Sequence, residues 1–232
     1  MCNNDDAIVE FTTDNTGGTT VYGWSSDLDI GFGTAGQGNI NSTAVNTGTS
    51  PITATITVTP SFEGCIGPSE TFTITVNPTG QVDDPQDQVL CNNDDAIVEF
   101  TTDNTGGTTV YGWSSDLDIG FGTAGQGNIN STAVNTGTSP ITATITVTPS
   151  FEGCIGPSET FTITVNPTGQ VDDPVDETIL TGQSSSGVIL QSDVENINYS
   201  WTAVVPSGIT PSGGFQYEYP DSASGQMQGP NG

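Results

Sequence analysis

Ile52 to Thr59 reads Ile-Thr-Ala-Thr-Ile-Thr-Val-Thr, with apolar and hydroxyl residues in strict alternation. A period of two puts Ile52, Ala54, Ile56 and Val58 on one face and the threonines on the other, which is the pattern of a half-buried strand. Glu70 to Val76 alternates in the same way, with Phe72, Ile74 and Val76 inward. Ala7 to Thr13 and Thr19 to Ser25 read as two further strands, separated by an Asn15-Thr16-Gly17-Gly18 turn. Asp27 to Gly38 is Gly-rich and reads as loop with a short strand around Ile30 to Phe32; Asn39 to Val45 is a weaker strand. Thr47 to Pro51 turns the chain. No stretch has helical periodicity. Six or seven short strands with frequent turns, in a unit of roughly 90 residues, predict an antiparallel β-sandwich.

The pattern then recurs. Cys2 to Pro85 reappears unchanged as Cys91 to Pro174. A repeat of this length is a small domain in its own right, too long for one turn of a solenoid. The predicted organisation is therefore all-β, with tandem sandwiches, two complete and one partial. The first occupies 1–80, an acidic linker and the start of the next unit 81–90, and the second 91–169. A second acidic linker covers 170–178, and a divergent partial unit 179–232. That last segment keeps Tyr199-x-Trp201 but lacks equivalents of the two best-patterned strands, so alone it is expected to be poorly ordered unless another chain supplies strands. Prolines at both ends of Pro78–Pro85 stiffen the connection.

Composition narrows the function. Among 232 residues there is no Lys, Arg or His, against 27 Asp and Glu. No salt bridge can form between side chains, so acidic clusters must stay hydrated, protonate or bind a metal ion. Nucleic acid is excluded as a direct partner, because phosphate binding needs Lys or Arg. No apolar run approaches the roughly 20 residues of a membrane span. Met1 stands where the second copy has Leu90, and no signal peptide precedes it, so targeting and anchoring segments are expected outside this stretch. Catalysis is poorly provided for. His and Lys are missing as general bases, and no base is available to activate the many Ser and Thr hydroxyls. Glu10, Glu63 and Glu70 are the only glutamates of a copy, and the chain reads as a non-enzyme.

Three residue sets are candidates for sites. Cys2, Cys65, Cys91 and Cys154 form two equivalent pairs and read as disulfides of an oxidising compartment. Pairing Cys2 with Cys65 and Cys91 with Cys154 treats both copies alike and would staple one pole of each sandwich, a constraint worth about 4 kcal/mol. Cys65–Cys91 across the linker is the alternative, leaving Cys2 and Cys154 to partners elsewhere. The junction carboxylates are the second set: Asp83, Asp84 and Asp87 beside Asp94 and Asp95, and Asp172, Asp173 and Asp176 in the second linker. Dense acid without cations suits Ca²⁺, which takes six to eight oxygens, though a hydrated linker extended by repulsion fits too. Asp27 and Asp29 are a weaker Ca²⁺ candidate. The third set is aromatic. Tyr22 with Trp24, Tyr111 with Trp113, and Tyr199 with Trp201 lie two apart on one strand face, where sandwiches bury a core Trp. Phe32 and Phe62 are placed in loops as exposed contacts. Asn41-Ser42-Thr43 and Asp221-Ser222-Ala223 match glycosylation patterns too short to carry weight.

Tyr22-x-Trp24, the Gly31–Gly38 stretch, Ile52–Pro60, Gly64-Cys65 and Phe72–Thr79 together resemble the PKD-like repeats of Bacteroidota surface proteins. The match covers both full copies and, more loosely, the third. That resemblance implies an immunoglobulin-like sandwich in giant adhesins of the cell surface, including gliding adhesins exported by type IX secretion. The expected role is a secreted structural stalk whose partners are neighbouring repeats of the same chain. The rivals are a carbohydrate-binding accessory module that recognises surface glycan, and a filament subunit that self-associates by strand exchange.

Overall fold

The computed structural model describes residues 1–184 and 186–201. Among the described residues all regular structure is β. The first repeat contains β1 (Asp6–Val9), β2 (Thr20–Ser26), β3 (Ala35–Gln37), β4 (Ile40–Thr43), β5 (Ile52–Phe62), β6 (Cys65–Ile66) and β7 (Glu70–Val76). β1 and β4 pair antiparallel as a small sheet, and β2, β3, β5, β6 and β7 form a larger one. The inward residues of both enclose a core of Ala7, Ile30, Ile40, Ala44, Ala54, Ile56, Ile74 and Val76. The threonines of the alternating strands meet across the outer face, as in the Thr53–Thr75 hydroxyl contact of 2.8 Å. This is an immunoglobulin-like β-sandwich.

The second repeat rebuilds the same elements as β9 (Asp95–Val98), β10 (Thr109–Ser115), β11 (Ala124–Gln126), β12 (Ile129–Thr132), β13 (Ile141–Phe151), β14 (Cys154–Ile155) and β15 (Glu159–Asn166). It adds β8 (Gln88–Cys91), which the connecting segment contributes and which runs parallel to β15. In the first repeat this pairing shrinks to one bridge, Cys2 to Asn77. The described part of the third segment, through Trp201, contains no strand. Asp221-Ser222-Ala223 lies outside the described residues, as does most of the unit placed at 179–232.

Two strand expectations need correction. The short strand lies at Ala35–Gln37, and Ile30–Phe32 is loop. The loop reading of Phe62 fails because β5 runs on through Pro60 to Phe62, where Phe62 pairs with Thr20. Proline reads as a strand end because it cannot donate to a ladder. Here the Pro60 carbonyl accepts from Gly67, so its nitrogen faces the same side, beyond the Val58–Glu70 end of the β7 ladder. Its missing N–H therefore interrupts no bond to β7. Within 81–90, placed as acidic linker and start of the next unit, Gln88–Cys91 begins that unit as strand β8.

Candidate functional site

Each sandwich has two ends. At its hairpin end, Phe62 pairs with Cys65 where β5 turns toward β7; at its exit end, β7 finishes and Asn77 bridges Cys2. The seven residues of β7 separate these ends, which at the rise of a strand is roughly 23 Å. A disulfide needs its Cα atoms within about 7 Å. Cys2 therefore cannot reach Cys65, and by the same geometry Cys91 cannot reach Cys154. The within-repeat pairing is overturned. Cys2 is instead bonded to Cys154, with Cα atoms 5.4 Å apart and 152 residues between them in sequence, while Cys65 and Cys91 are exposed free thiols. The Cys65–Cys91 alternative is not formed either.

This bond fastens the exit end of the first repeat to the hairpin end of the second. Neutral hydrogen bonds surround it. Gly80 N–H donates to the Cys154 carbonyl at 2.9 Å, and Thr105 N–H donates to the Thr49 carbonyl at 2.9 Å. Asn104 is the hub: its Oδ1 accepts from Gln81 N–H at 2.7 Å, and its amide donates to Thr79 and Thr49 carbonyls at 3.3 and 3.4 Å. Gly80 and Gly156 allow backbone to touch backbone, since a methyl built on Gly156 would coincide with the Gly80 carbonyl oxygen. The connecting segment then runs along the second sandwich, where Val82 packs on its core.

Identical sequence makes the effect of this docking visible. Phe151 and Cys154 are 0% and 2% exposed; their first-repeat counterparts, Phe62 and Cys65, are half-buried and exposed. Val147 and Pro149 are buried where Val58 and Pro60 are only half covered.

The acidic residues do not converge. Asp83 accepts from the Thr101 hydroxyl, Asp87 from Thr162 N–H at 2.6 Å, Asp94 from Cys91 N–H at 2.8 Å and Asp95 from the Thr132 hydroxyl at 3.3 Å. Asp172 N–H donates to the Gln191 carbonyl at 2.8 Å. Asp84, Asp173 and Asp176 are exposed. Among the described residues no three acidic or thiol groups gather as a set that could hold a metal ion. The proposed Ca²⁺ ligands are thus spread along the second sandwich and its linkers, with the carboxylates of Asp83, Asp87, Asp94 and Asp95 serving as hydrogen-bond acceptors. Asp27 and Asp29 have structural work as well. Asp27 accepts from Thr55 N–H at 2.7 Å, and Asp29 accepts from Gly31 and Gly33 N–H, both at 2.9 Å. These two donors hold the Asp29 carboxyl below its ordinary pKa, and Gly120 and Gly122 do the same for Asp118. Glu63 takes up the left-handed turn position and accepts from Thr19 N–H at 2.7 Å.

The aromatic residues pack on one another. Trp24 meets Phe32 edge to face with centroids 5.6 Å apart, and Tyr22 meets Phe11 at 5.5 Å. Trp113 with Phe121 and Tyr111 with Phe100 repeat this geometry. Burial is the main cause that raises the Tyr111 hydroxyl pKa; the nearby Asp83 charge adds to it, and a hydrogen bond with Thr102 opposes it. Tyr199 is buried and Trp201 half-buried.

Sequence reading passed over one group. Asn46, only 5% exposed, donates to the carbonyls of Ser50 and Val76 and accepts from Gly48 N–H, while its own N–H donates to Asn3. Asn135 does the same in the second repeat. An Asn just before a Thr-Gly turn was the available signal.

No protein-family model matches this chain, and no curated protein matches it. Among solved structures, the first three fibronectin domains of chicken CNTN1 share 12% identity over 72% of this chain and 67% of that one, at a TM-score of 0.32. A Bacteroides ovatus protein, SGBP-B of a mixed-linkage glucan utilization locus, shares 17% over 71% of this chain and 42% of its own, at 0.26. Domains 3–6 of protocadherin gamma B2 share 12% over 78% of this chain and 54% of theirs, at 0.30. The chain spans 33% of the Sidekick-1 five-domain structure that it also matches. Likeness at this level carries no function across.

Proposed function

We propose that this chain is a load-bearing stalk segment of a secreted bacterial surface adhesin of the PKD-like class. Its repeats hold an adhesive element away from the cell, and no residue carries catalysis. The observation behind this reading is the Cys2–Cys154 bond, which joins one sandwich to the next. A force applied to the two ends of the chain enters at Cys2 and leaves at Cys154, so the first sandwich lies wholly outside the load path, while β15 of the second, beyond Cys154, stays in it. Stable disulfides belong to oxidising compartments, which supports a site outside the cytoplasm. The net charge of −27 keeps neighbouring stalks apart.

Pulling single molecules by their termini tests the mechanical part. In the oxidised chain the first sandwich should add no length, and the second should release only residues beyond Cys154. After reduction two unfolding events should appear, together releasing roughly 500 Å of chain. Unfolding events of both repeats under oxidising conditions would contradict a load-bearing staple. The packed aromatic pairs offer no open platform for a sugar, so the structure gives the glycan-binding reading no specific support.

A further inference from the structure

The joint has two unmade halves. The first repeat's hairpin end presents Cys65, Phe62, Pro60 and Gly67, identical in sequence to the docked surface of Cys154, Phe151, Pro149 and Gly156. The second repeat's exit end presents Cys91, identical in context to the bonded Cys2. We propose that these two ends dock on each other between copies of this chain. A second copy would seat its exit end on the first repeat's hairpin end and link its Cys91 to Cys65.

The joint already formed is the template. Asn104, its buried hub, has an exposed counterpart in Asn15. The glycine contact has counterparts in Gly67 and Gly169. A methyl on Gly67 meets only Pro60, at 3.1 and 3.7 Å, because nothing yet occupies the position that Gly80 holds at Gly156. Val82, packed on the second core, has an exposed counterpart in Val171. At the second exit end, Val194 to Ile197 and Thr138 to Pro140 line one pocket. The backbone bond from Thr105 to Thr49 has no counterpart there among the described residues, and Cys91 stays exposed. A docking copy displaces this segment. Because the two surfaces differ, the contact is head-to-tail, and repeating it builds a chain of chains.

Making the bond needs an oxidant, and glutathione disulfide supplies it. The Cys65 thiolate attacks one glutathione sulfur and expels the other glutathione as thiolate. The Cys91 thiolate of the second copy attacks the mixed disulfide at Cys65 and expels the second. Each cysteine sulfur gives up one electron, each glutathione sulfur gains one, and the two thiol protons end on the two glutathione thiols.

Two full-length variants test this. Cys65→Ser keeps only Cys91 free, and Cys91→Ser keeps only Cys65. Each alone can form at most a symmetric disulfide dimer. Mixed in a glutathione buffer, they should form the heterodimer several-fold faster than either homodimer, and the unsubstituted chain should extend beyond dimers. Adding Gly67→Ala to the Cys91→Ser partner should abolish the excess while leaving its own melting temperature within a few degrees. Heterodimer at or below the statistical proportion, or no mixed dimer, overturns the proposal. Either result would leave the stalk reading intact, since that rests on the bond within one chain.

Discussion

Cys2 and Cys154 are bonded across the boundary between two repeats whose sequences are identical from Cys2 to Pro85. Neither sandwich core contains this bond, so removing it should act on the joint more than on the fold. Cys2→Ser should keep the β-sheet circular dichroism and the number of folding units. X-ray scattering should show a larger radius of gyration and a wider spread of shapes than for the oxidised parent.

The same substitution in identical sequence contexts should have unequal effects. Gly156→Ala places a methyl on the Gly80 carbonyl and forces the joint apart. Overpacking of this kind costs about 1–3 kcal/mol. Gly67→Ala meets only Pro60. Denaturation of the two variants, together with the rate at which the reduced joint re-forms its disulfide, measures the difference.

Asn46 donates to two carbonyls, in a buried bond to Val76 and a part-buried one to Ser50. Asn46→Ala should destabilise the first repeat by about 2 kcal/mol, the usual penalty for an orphaned buried acceptor such as the Val76 carbonyl. Asn46→Asp should be worse, because a carboxylate cannot donate to either carbonyl. Urea titration of the two variants checks the order.

The Asp29 and Asp118 carboxyls sit below their ordinary pKa because Gly-rich loop N–H groups donate to them. A lowered folded-state pKa contributes stability above the unfolded value, and that stability is lost as pH falls through the folded value. A chain carrying Asp29→Asn and Asp118→Asn should therefore lose less stability than the parent as pH drops below the ordinary aspartate pKa of about 3.9. Relief of general acidic repulsion acts on both proteins alike. Thermal melts from pH 5 to pH 2 give the comparison.

Asp83, Asp87, Asp94 and Asp95 each accept a hydrogen bond, and among the described residues the junction acids do not converge. Divalent cations should then act by screening the net charge of −27. Ca²⁺ should raise the melting temperature no more than Na⁺ at equal ionic strength. A Ca²⁺-specific rise, reversed by EDTA, would restore the acids as ligands.

Alternation made the sandwich legible. Ile52–Thr59 and Glu70–Val76 announce β5 and β7 because one face is core and the other threonine. Identity of the copies announced the tandem array. What stayed hidden depends on facts that periodicity does not encode. Pro60 ends a strand in sequence terms but sits past the end of its partner's ladder. Gln88–Leu90 becomes strand only because β15 offers a parallel edge. The cysteine pairing followed from treating Cys2 and Cys65 as neighbours, when the length of β7 holds them apart. Two identical copies also made the symmetric pairing look natural, although end-to-end stacking links unlike members of the set.

The most direct measurement is a map of the disulfide after cleavage at glutamate without reduction. Residues 64–70 and 153–159 give the same peptide, Gly-Cys-Ile-Gly-Pro-Ser-Glu, so the unsubstituted chain is ambiguous and variants decide. The Cys2 peptide, residues 1–10, should remain linked to that peptide in Cys65→Ser and lose the link in Cys154→Ser. A link that survives Cys154→Ser and vanishes in Cys65→Ser would place the staple within one repeat and contradict the joint.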